Sequence, residues 1–385
     1  MGIVRVFLAL SVVFAHSSVF PLTDNKLVGG LIAVQCFYII SGFYMALVLT
    51  QQYATRTNFY FNRFLRLYPT YWFLLAASTL LCLILGKPTF VNVILNSDVL
   101  HWDGKSFMLF ANVFIFGSDA MMFMFPSSGG LWFTSDFSAH AAKLYPFHSI
   151  PQAWTLPVEM LFYAIAPFVV KSPARLIGIF ILSLVVRYFV YAHISTDDPW
   201  TYRFFPSEAA FFCAGALAFH VYGVTKEFRV SREIGLILFV VIVLYITNFN
   251  RVPVLIGNTF LFSGELLQFY GFALVALPFV FHLTRDNRLD RWLGEMSYPI
   301  YLTHLFVIQG ASYLPHLSAM WYSKYPMIQV YFVVLNTLVI SAAINVVVQT
   351  PIERWFKRTE PQAPNEQTRE MEAEREQPEE QGKLI

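Results

Sequence analysis

Repeated long apolar stretches constrain the fold of this chain more than any other feature. Of its 385 residues, 57% are hydrophobic and only 13% are charged, whereas soluble proteins carry about 25% charged residues. A helix needs about 20 apolar residues to cross a bilayer, and the sequence has ten largely apolar stretches of 14 to 24 residues. It therefore predicts an all-α polytopic membrane protein. The ten transmembrane helices are placed at Ile3–Pro21, Leu27–Thr50, Tyr68–Gly86, Thr155–Val170, Leu176–His193, Ser207–Gly223, Ile234–Thr247, Phe262–Leu283, Met296–Leu314 and Ile328–Val348.

The positions of lysine and arginine predict the orientation of these helices. Cytoplasmic loops are enriched in positive residues. The loop with Arg63 and Arg66 lies on the same side of the membrane as the later basic loops only if the apolar patch from Phe107 to Phe125 does not cross the membrane. We therefore place this patch in or on the outer leaflet, and both termini in the cytoplasm.

Two regions follow from the composition. Residues 1–358 are predicted to form one membrane domain. Residues 359–385 are rich in Glu and Gln and have no apolar periodicity, which predicts a disordered cytoplasmic tail. The three cysteines lie at scattered spacings within apolar runs, so they indicate neither a disulfide framework nor a zinc site.

The first predicted helix carries two polar residues, Arg5 and His16, that a bilayer disfavours. Eleven residues separate them, so they share one helix face and lie about 16 Å apart along the axis. This spacing places Arg5 at the cytoplasmic headgroups and His16 near the midplane, facing a polar cavity. We interpret His16 as a general base. The alternative is a hydrogen-bonded core histidine, with Arg5 as a positive anchor.

A second polar feature is the pair Arg63 and Arg66 within Tyr60–Trp72. Two arginines at positions i and i+3 project to one side of a helical turn, and a planar guanidinium suits phosphate oxygens. The pair therefore predicts a phosphate-binding site. The alternative is an anchor to lipid headgroups.

At these residues the chain resembles the acyltransferase-3 family of integral membrane acyltransferases. The resemblance covers nearly the whole chain before the tail. It rests on the Arg5/His16 pattern, the segment Phe37–Tyr44 (FYIISGFY), Arg63-x-x-Arg66, the segment Trp154–Glu159 (WTLPVE), the late segment Leu293–His304 and Pro351-x-Glu353. The family transfers acyl groups from acyl-coenzyme A (acyl-CoA) to sugars and other acceptors.

The resemblance implies a set of site residues. His16 and Glu159 are assigned as catalytic. Glu159 would orient the imidazole or bind acceptor hydroxyls; its alternative is a structural pair with Arg203 or Arg187. The donor acyl-CoA, by family default acetyl-CoA, is assigned to Arg5, Arg63, Arg66, Tyr71, Ser297, Tyr301 and His304. The acceptor is assigned to Trp154, Arg203 and Glu208. For Arg203 and Glu208 structural pairing is an equal alternative, and for His304 a buried structural histidine is the alternative.

The predicted function is therefore a bacterial inner-membrane O-acetyltransferase that modifies a surface or exported glycan, such as an exopolysaccharide, or its lipid-linked precursor. Its expected partners are that acceptor and membrane lipids, with a homodimer or polysaccharide-assembly proteins left open, and neither a metal nor a nucleic acid is expected. The alternative is a transporter of a lipid-linked sugar or small anion, which would use the same intramembrane charges.

Overall fold

The computed structural model describes residues 1–17, 27–51, 55–225, 232–312 and 326–359. The described chain is a helical bundle with one small β-hairpin. Its helices are α1 (Gly2–His16), α2 (Gly29–Gln51), α3 (Arg56–Ile84), α4 (Phe90–Leu95), α5 (Trp102–Phe114), α6 (Thr155–Val169), α7 (Pro173–His193), α8 (Phe205–Thr225), α9 (Arg232–Thr247), α10 (Gly264–Thr284), α11 (Arg288–Ser312), α12 (Pro326–Ile344) and α13 (Thr350–Thr359). A π-helical segment, Asn345–Gln349, joins α12 to α13.

Among the described residues, six helical segments are long and apolar enough to cross a membrane. They are Gly29–Gln51, Arg56–Ile84, Pro173–His193, Phe205–Val224, Gly264–Thr284 and Val330–Phe356. The shorter apolar helix α1 packs against α2 and α11. The chain is therefore an all-α polytopic membrane protein, while the count of ten spans and the cytoplasmic termini stay predictions.

Three helix boundaries differ from the predicted ones. Helix α1 ends at His16, because Ser17 is extended (φ −84°, ψ 136°). Helix α3 begins at Arg56, well before Tyr68, because Thr55 caps it by accepting a hydrogen bond from the Asn58 N–H at 3.3 Å. Helix α11 begins at Arg288 rather than at Met296. Helices α3 and α11 begin before the apolar runs that predict them, since charged residues outside the bilayer are equally compatible with a helix. Of the predicted tail, residues 360–385 lie outside the described part of the chain.

The segment between α3 and α6, residues 85–154, is here named the cap. It contains α4, α5 and an antiparallel hairpin of β1 (Met124–Ser127) and β2 (Gly130–Phe133), in which Met124 pairs with Phe133. Helix α5 has 13 residues and is therefore about 20 Å long, short of the roughly 30 Å of a bilayer core. It ends where Ile115 turns to φ +68°. The predicted patch from Phe107 is thus broken into a short helix and irregular turns.

Helices α2 and α8 are packed at backbone contact. A Cβ atom on Gly42 would overlap the carbonyl oxygen of Phe212, and one on Gly215 would overlap that of Ile39. Small residues at helix interfaces allow this close approach in membrane proteins. The two glycines therefore fix the separation of the helices that carry Ser41 and Glu208.

We expect Gly42→Ala to lower the thermal stability of the detergent-solubilised protein strongly. The added methyl group must push α2 away from α8, and overpacking of this kind costs about 1–3 kcal/mol or more. The matched control is Gly178→Ala on α7, where no atom lies within 4 Å of the added Cβ. A melting curve of Gly42→Ala that coincides with that of Gly178→Ala would refute the close-packing argument.

A buried polar network holds the cap together around His148. The Nδ1 atom of His148 accepts from the Ile150 N–H at 3.2 Å, so its proton lies on Nε2, which donates to Ser118 Oγ at 2.8 Å. Ser118 in turn donates to the Ile115 carbonyl at 2.6 Å. Burial lowers the pKa of His148 to about 4 because the charged imidazolium would lose its hydration. The network therefore requires a neutral imidazole.

The cap is expected to lose stability as pH falls. The pKa of His148 is about 6.5 when unfolded and about 4 when folded, so the unfolded state binds more protons between these values. Stability is complete above pH 6.5 and declines by roughly 3 kcal/mol on acidification to pH 4. In His148→Gln, which keeps a donor toward Ser118 but does not titrate, limited proteolysis of the cap should depend less on pH. Equal pH dependence in both proteins would contradict this role.

Candidate active site

A cavity of about 500 Å³ lies among α1, α2, α3, α6, α10, α11 and α13. It reaches the surface where the exposed residues Arg285 and Arg291 line it, between α10 and α11. At its other end it is lined by Tyr38, Thr155 and Tyr301. Six of the residues predicted from the sequence lie together on its wall: Arg5, Arg63, Arg66, Glu159, Ser297 and Tyr301.

Three arginines give this cavity a positive wall. Arg63 is only 7% exposed, and its Nη2 donates to Asn62 Oδ1 at 2.7 Å. The Arg5 guanidinium lies 5.9 Å from the Tyr44 ring centroid, and its buried Nε has no hydrogen-bond partner among the described residues. Arg5 and Arg66 are close enough to repel each other, and the Glu353 carboxylate, which lines the same cavity, attracts Arg66. This arrangement is suited to an anionic ligand.

Glu159 is held on the same wall by two hydroxyl groups. Ser41 Oγ donates to its Oε1 at 2.6 Å, and the Tyr163 hydroxyl donates to the same oxygen at 2.5 Å. Tyr163 lies one turn after Glu159 on α6, so the two side chains share a helix face. Within the described chain Oε2 receives no hydrogen bond and remains available to a ligand in the cavity.

The structure places His16 differently from the prediction. It is the last residue of α1 and is exposed, and it does not line the cavity. Its ring lies 5.0 Å, between centroids, from the fully buried ring of His304 on α11. Glu159 does not orient His16, because its hydrogen bonds go to Ser41 and Tyr163. The helix ends earlier than the apolar pattern implies, which brings His16 to a helix terminus.

Four other predicted residues lie outside the cavity and have intramolecular partners. The Tyr71 hydroxyl donates to the Asn112 carbonyl of the cap at 2.6 Å. Trp154 stacks against Arg203, whose guanidinium lies 4.0 Å from the ring centroid and pairs with Asp198 at 2.6 Å. Glu208 pairs with Arg187 at 2.8 Å and accepts from Gln35 at 3.0 Å. Buried charges need such partners, so the structural alternative describes Arg203 and Glu208, and Glu159 pairs with neither arginine.

The family model for the acyltransferase domain of acyltransferase-3 matches residues 1–346. The chain belongs to the acyltransferase-3 family. It is also 22% identical, over 219 residues, to an uncharacterized protein of Aquifex aeolicus, which covers 55% of this chain and 90% of that protein. No solved structure matches. The protein is therefore a membrane acyltransferase.

In their neutral form, His16 and His304 each have an unprotonated Nε2 atom. Nδ1 of His16 lies 2.9 Å from the Val12 carbonyl, and Nδ1 of His304 lies 2.6 Å from the Tyr301 carbonyl. A carbonyl oxygen only accepts, so each Nδ1 carries the proton in the neutral ring and each Nε2 carries the lone pair. The Nε2 atom of His304 is buried without a hydrogen-bond partner in the described structure.

Tyr301 connects the histidine pair to the cavity of the acyltransferase. Its ring lines the cavity, while its carbonyl holds His304, which lies three residues farther along α11. Its hydroxyl donates to the Gln152 carbonyl at 2.6 Å and accepts from Thr155 Oγ1 at 3.0 Å. The inner end of the cavity is therefore about one helical turn from the two imidazoles.

Sequence reasoning missed several residues of the site. Ser41, within the segment Phe37–Tyr44, has no predicted catalytic or binding role, yet its hydroxyl donates to Glu159. Gln349, on the π-helical segment, donates to the Arg66 carbonyl at 3.2 Å and accepts from Thr70 at 2.7 Å. An amide within an apolar span is a signal for such a role, because it requires partners in the membrane.

Proposed function

We propose that this acyltransferase takes its acyl group from acyl-CoA, with acetyl-CoA as the simplest donor, and transfers it to a hydroxyl of a surface glycan or its lipid-linked precursor in a bacterial inner membrane. The observation that carries the proposal is a cavity whose wall bears Arg5, Arg63 and Arg66 and whose inner end is lined by Tyr301. The Tyr301 ring lies 6.0 Å, between centroids, from the ring of His304, which neighbours His16. Such a cavity suits a ligand that is anionic at one end and reactive at the other.

Coenzyme A has this polarity. Its diphosphate would bind Arg5, Arg63 and Arg66, since guanidinium groups form charge-assisted hydrogen bonds with phosphate oxygens. Its uncharged pantetheine arm would extend inward, and Glu159 Oε2 could accept from one of its amide N–H groups. Arg5 and His16 are about 16 Å apart along α1, a distance of the order of this arm. The thioester would then lie at Tyr301, beside the histidines.

The reaction at this point needs one base. His16 Nε2 takes the proton of the acceptor hydroxyl while that oxygen attacks the thioester carbonyl. The carbon–sulfur bond then breaks, the ester forms, and the thiolate recovers the proton from the imidazolium. The Val12 carbonyl fixes the His16 tautomer that makes Nε2 the base. In this proposal the Val12 carbonyl, rather than Glu159, orients the imidazole of His16.

The acceptor would reach His16 from the face opposite the donor. His16 is exposed at the end of α1, whereas the cavity opens beside Arg285 and Arg291 at the other end of the bundle. Under the positive-inside rule the donor side is the cytoplasm, so the acceptor would be outside. This arrangement favours an exported glycan or a lipid-linked precursor over a cytoplasmic metabolite.

The test is binding and turnover of acetyl-CoA by the purified protein in lipid nanodiscs. We expect saturable binding and a slow release of acetate to water, with faster loss of acetyl groups when membrane glycolipid extracts are added. The absence of acetyl-CoA binding would overturn the proposed donor. Binding without any glycolipid-dependent increase would overturn the proposed acceptor class.

A further inference from the structure

We propose that Arg285 and Arg291 form a second anion subsite, which binds the 3′-phosphate of the adenosine group of the donor. This inference rests on the proposed function, because it concerns the nucleotide end of the same CoA molecule. It would make this acyltransferase selective for CoA over donors that end in a single phosphopantetheine group.

The two arginines are distinct from the three inner ones. Both are exposed, and both line the mouth of the cavity. A Cβ atom on Gly294 would lie 3.5 Å from the Arg5 Nη1 atom, and Arg291 precedes Gly294 by three residues on α11. The Arg291 backbone therefore lies about one helical turn closer to the cavity mouth than Arg5. The positive charges thus form an inner and an outer group along one cavity.

Both outer side chains are held in place by hydrogen bonds. Arg285 Nη1 donates to the Tyr222 hydroxyl at 2.8 Å, and Arg291 Nη2 donates to the Arg285 carbonyl at 3.1 Å. Each guanidinium keeps further N–H groups for a ligand, since arginine has five. Positioned arginines lose less side-chain entropy on binding than freely moving ones.

The two carboxylates within residues 285–291 leave Arg285 and Arg291 with a positive charge. Asp290 accepts from the backbone N–H groups of Gly2 at 2.7 Å and Ile3 at 3.0 Å, so it is engaged at the start of α1. Asp286 lies 3.3 Å from Arg285 Nε but is 87% exposed, and an exposed pair of this kind contributes little. A phosphate dianion would therefore be the stronger partner.

Coenzyme A carries two anionic groups at different distances from its thiol, as the inner and outer groups of arginines require. The diphosphate leads into the pantetheine arm, and the 3′-phosphate lies on the far side of the ribose. With the diphosphate at the inner group and the arm pointing toward Tyr301, the ribose comes to the mouth. Its 3′-phosphate then meets Arg285 and Arg291. Anionic lipid headgroups offer the same phosphate chemistry, so the experiment separates the two sources.

The experiment compares CoA with 3′-dephospho-CoA, by isothermal titration, in nanodiscs of zwitterionic phosphatidylcholine and again in nanodiscs that also contain anionic phosphatidylglycerol. We expect the wild type to bind CoA roughly 10- to 100-fold more tightly, the effect of losing charge-assisted hydrogen bonds. The Arg285→Gln/Arg291→Gln variant should bind both ligands equally, with the affinity of the wild type for 3′-dephospho-CoA. The control Arg288→Gln changes an exposed arginine of the same loop that does not line the cavity, and it should discriminate as the wild type does.

Three outcomes would overturn the inference. Equal affinity of the wild type for the two ligands would remove the subsite while leaving the proposed donor intact. Undiminished discrimination in the double variant would place the 3′-phosphate elsewhere. A variant effect that arises only in nanodiscs with anionic lipid would assign the arginines to headgroups. If the wild type binds neither ligand, the proposed function itself fails, and binding of 3′-dephospho-CoA by the variant shows that the variant is folded.

Discussion

His16→Ala is expected to reduce acyl transfer by about 100- to 10,000-fold, the contribution typical of a general base. The variant should bind acetyl-CoA with unchanged affinity, because His16 does not line the cavity in which we propose that the donor binds. Transfer is measured as radiolabelled acetyl groups moved to extracted glycolipids in nanodiscs, and binding as the dissociation constant of acetyl-CoA. Lost turnover with retained affinity is the result expected of a base that acts on the thioester without lining the donor cavity.

A matched control is available for this variant. His193 is also an exposed histidine at the last residue of an apolar helix, α7, and it does not line the cavity. His193→Ala should therefore transfer acyl groups at the wild-type rate. Transfer by His16→Ala at a similar rate would refute the role of His16 as the base. A rise in the dissociation constant of acetyl-CoA equal to the loss of turnover would show instead that His16 supports donor binding.

The sequence singled out charged residues that share one cavity, for a physical reason. A charged side chain within an apolar span is unfavourable unless it faces a polar space, and Arg5, Arg63, Arg66 and Glu159 do line one cavity. The sequence could not separate these residues from Glu208, which is equally charged and equally enclosed by apolar neighbours. Only the fold shows that Glu208 meets Arg187, whereas Glu159 faces the cavity.

The position of His16 could not be predicted from the sequence, for a different reason. The apolar pattern continues past it, so the end of α1 at Ser17 gives no clear signal in the sequence. Its neighbour His304 is 288 residues away in the chain, and the contact depends on how α1 packs against α11. Helix ends and long-range contacts of this kind are set by tertiary structure rather than by local pattern.

Some basic loop residues have a second role, which the positive-inside rule does not predict. Arg285 and Arg291 belong to the later basic loops, whose positive charges predict only the orientation of the helices. In the structure they also line the cavity mouth. One residue type serves both roles, because headgroup phosphates and ligand phosphates present the same oxygens.

Arg66→Ala is expected to raise the dissociation constant of acetyl-CoA by about 10- to 100-fold, since one charge-assisted contact with the diphosphate contributes roughly 1.5–3 kcal/mol. Turnover at saturating acetyl-CoA should change much less, because Arg66 would contact the donor far from the thioester. Arg66→Lys should recover only part of the affinity, since an ammonium group cannot bind two phosphate oxygens in the planar geometry of a guanidinium.

Two comparisons decide whether this loss comes from the cavity. Arg175→Ala removes an exposed arginine near the same end of the bundle that does not line the cavity and whose Nη1 donates to the Phe168 carbonyl at 2.7 Å; its affinity should equal that of the wild type. Added salt should weaken binding of acetyl-CoA to the wild type more than to Arg66→Ala, because the variant has one fewer charge to screen. An unchanged dissociation constant for Arg66→Ala would exclude Arg66 as a donor contact. Equal losses of affinity for Arg66→Ala and Arg175→Ala would indicate a general effect of positive charge at this face. Only a loss of affinity confined to Arg66→Ala supports a phosphate contact within the cavity.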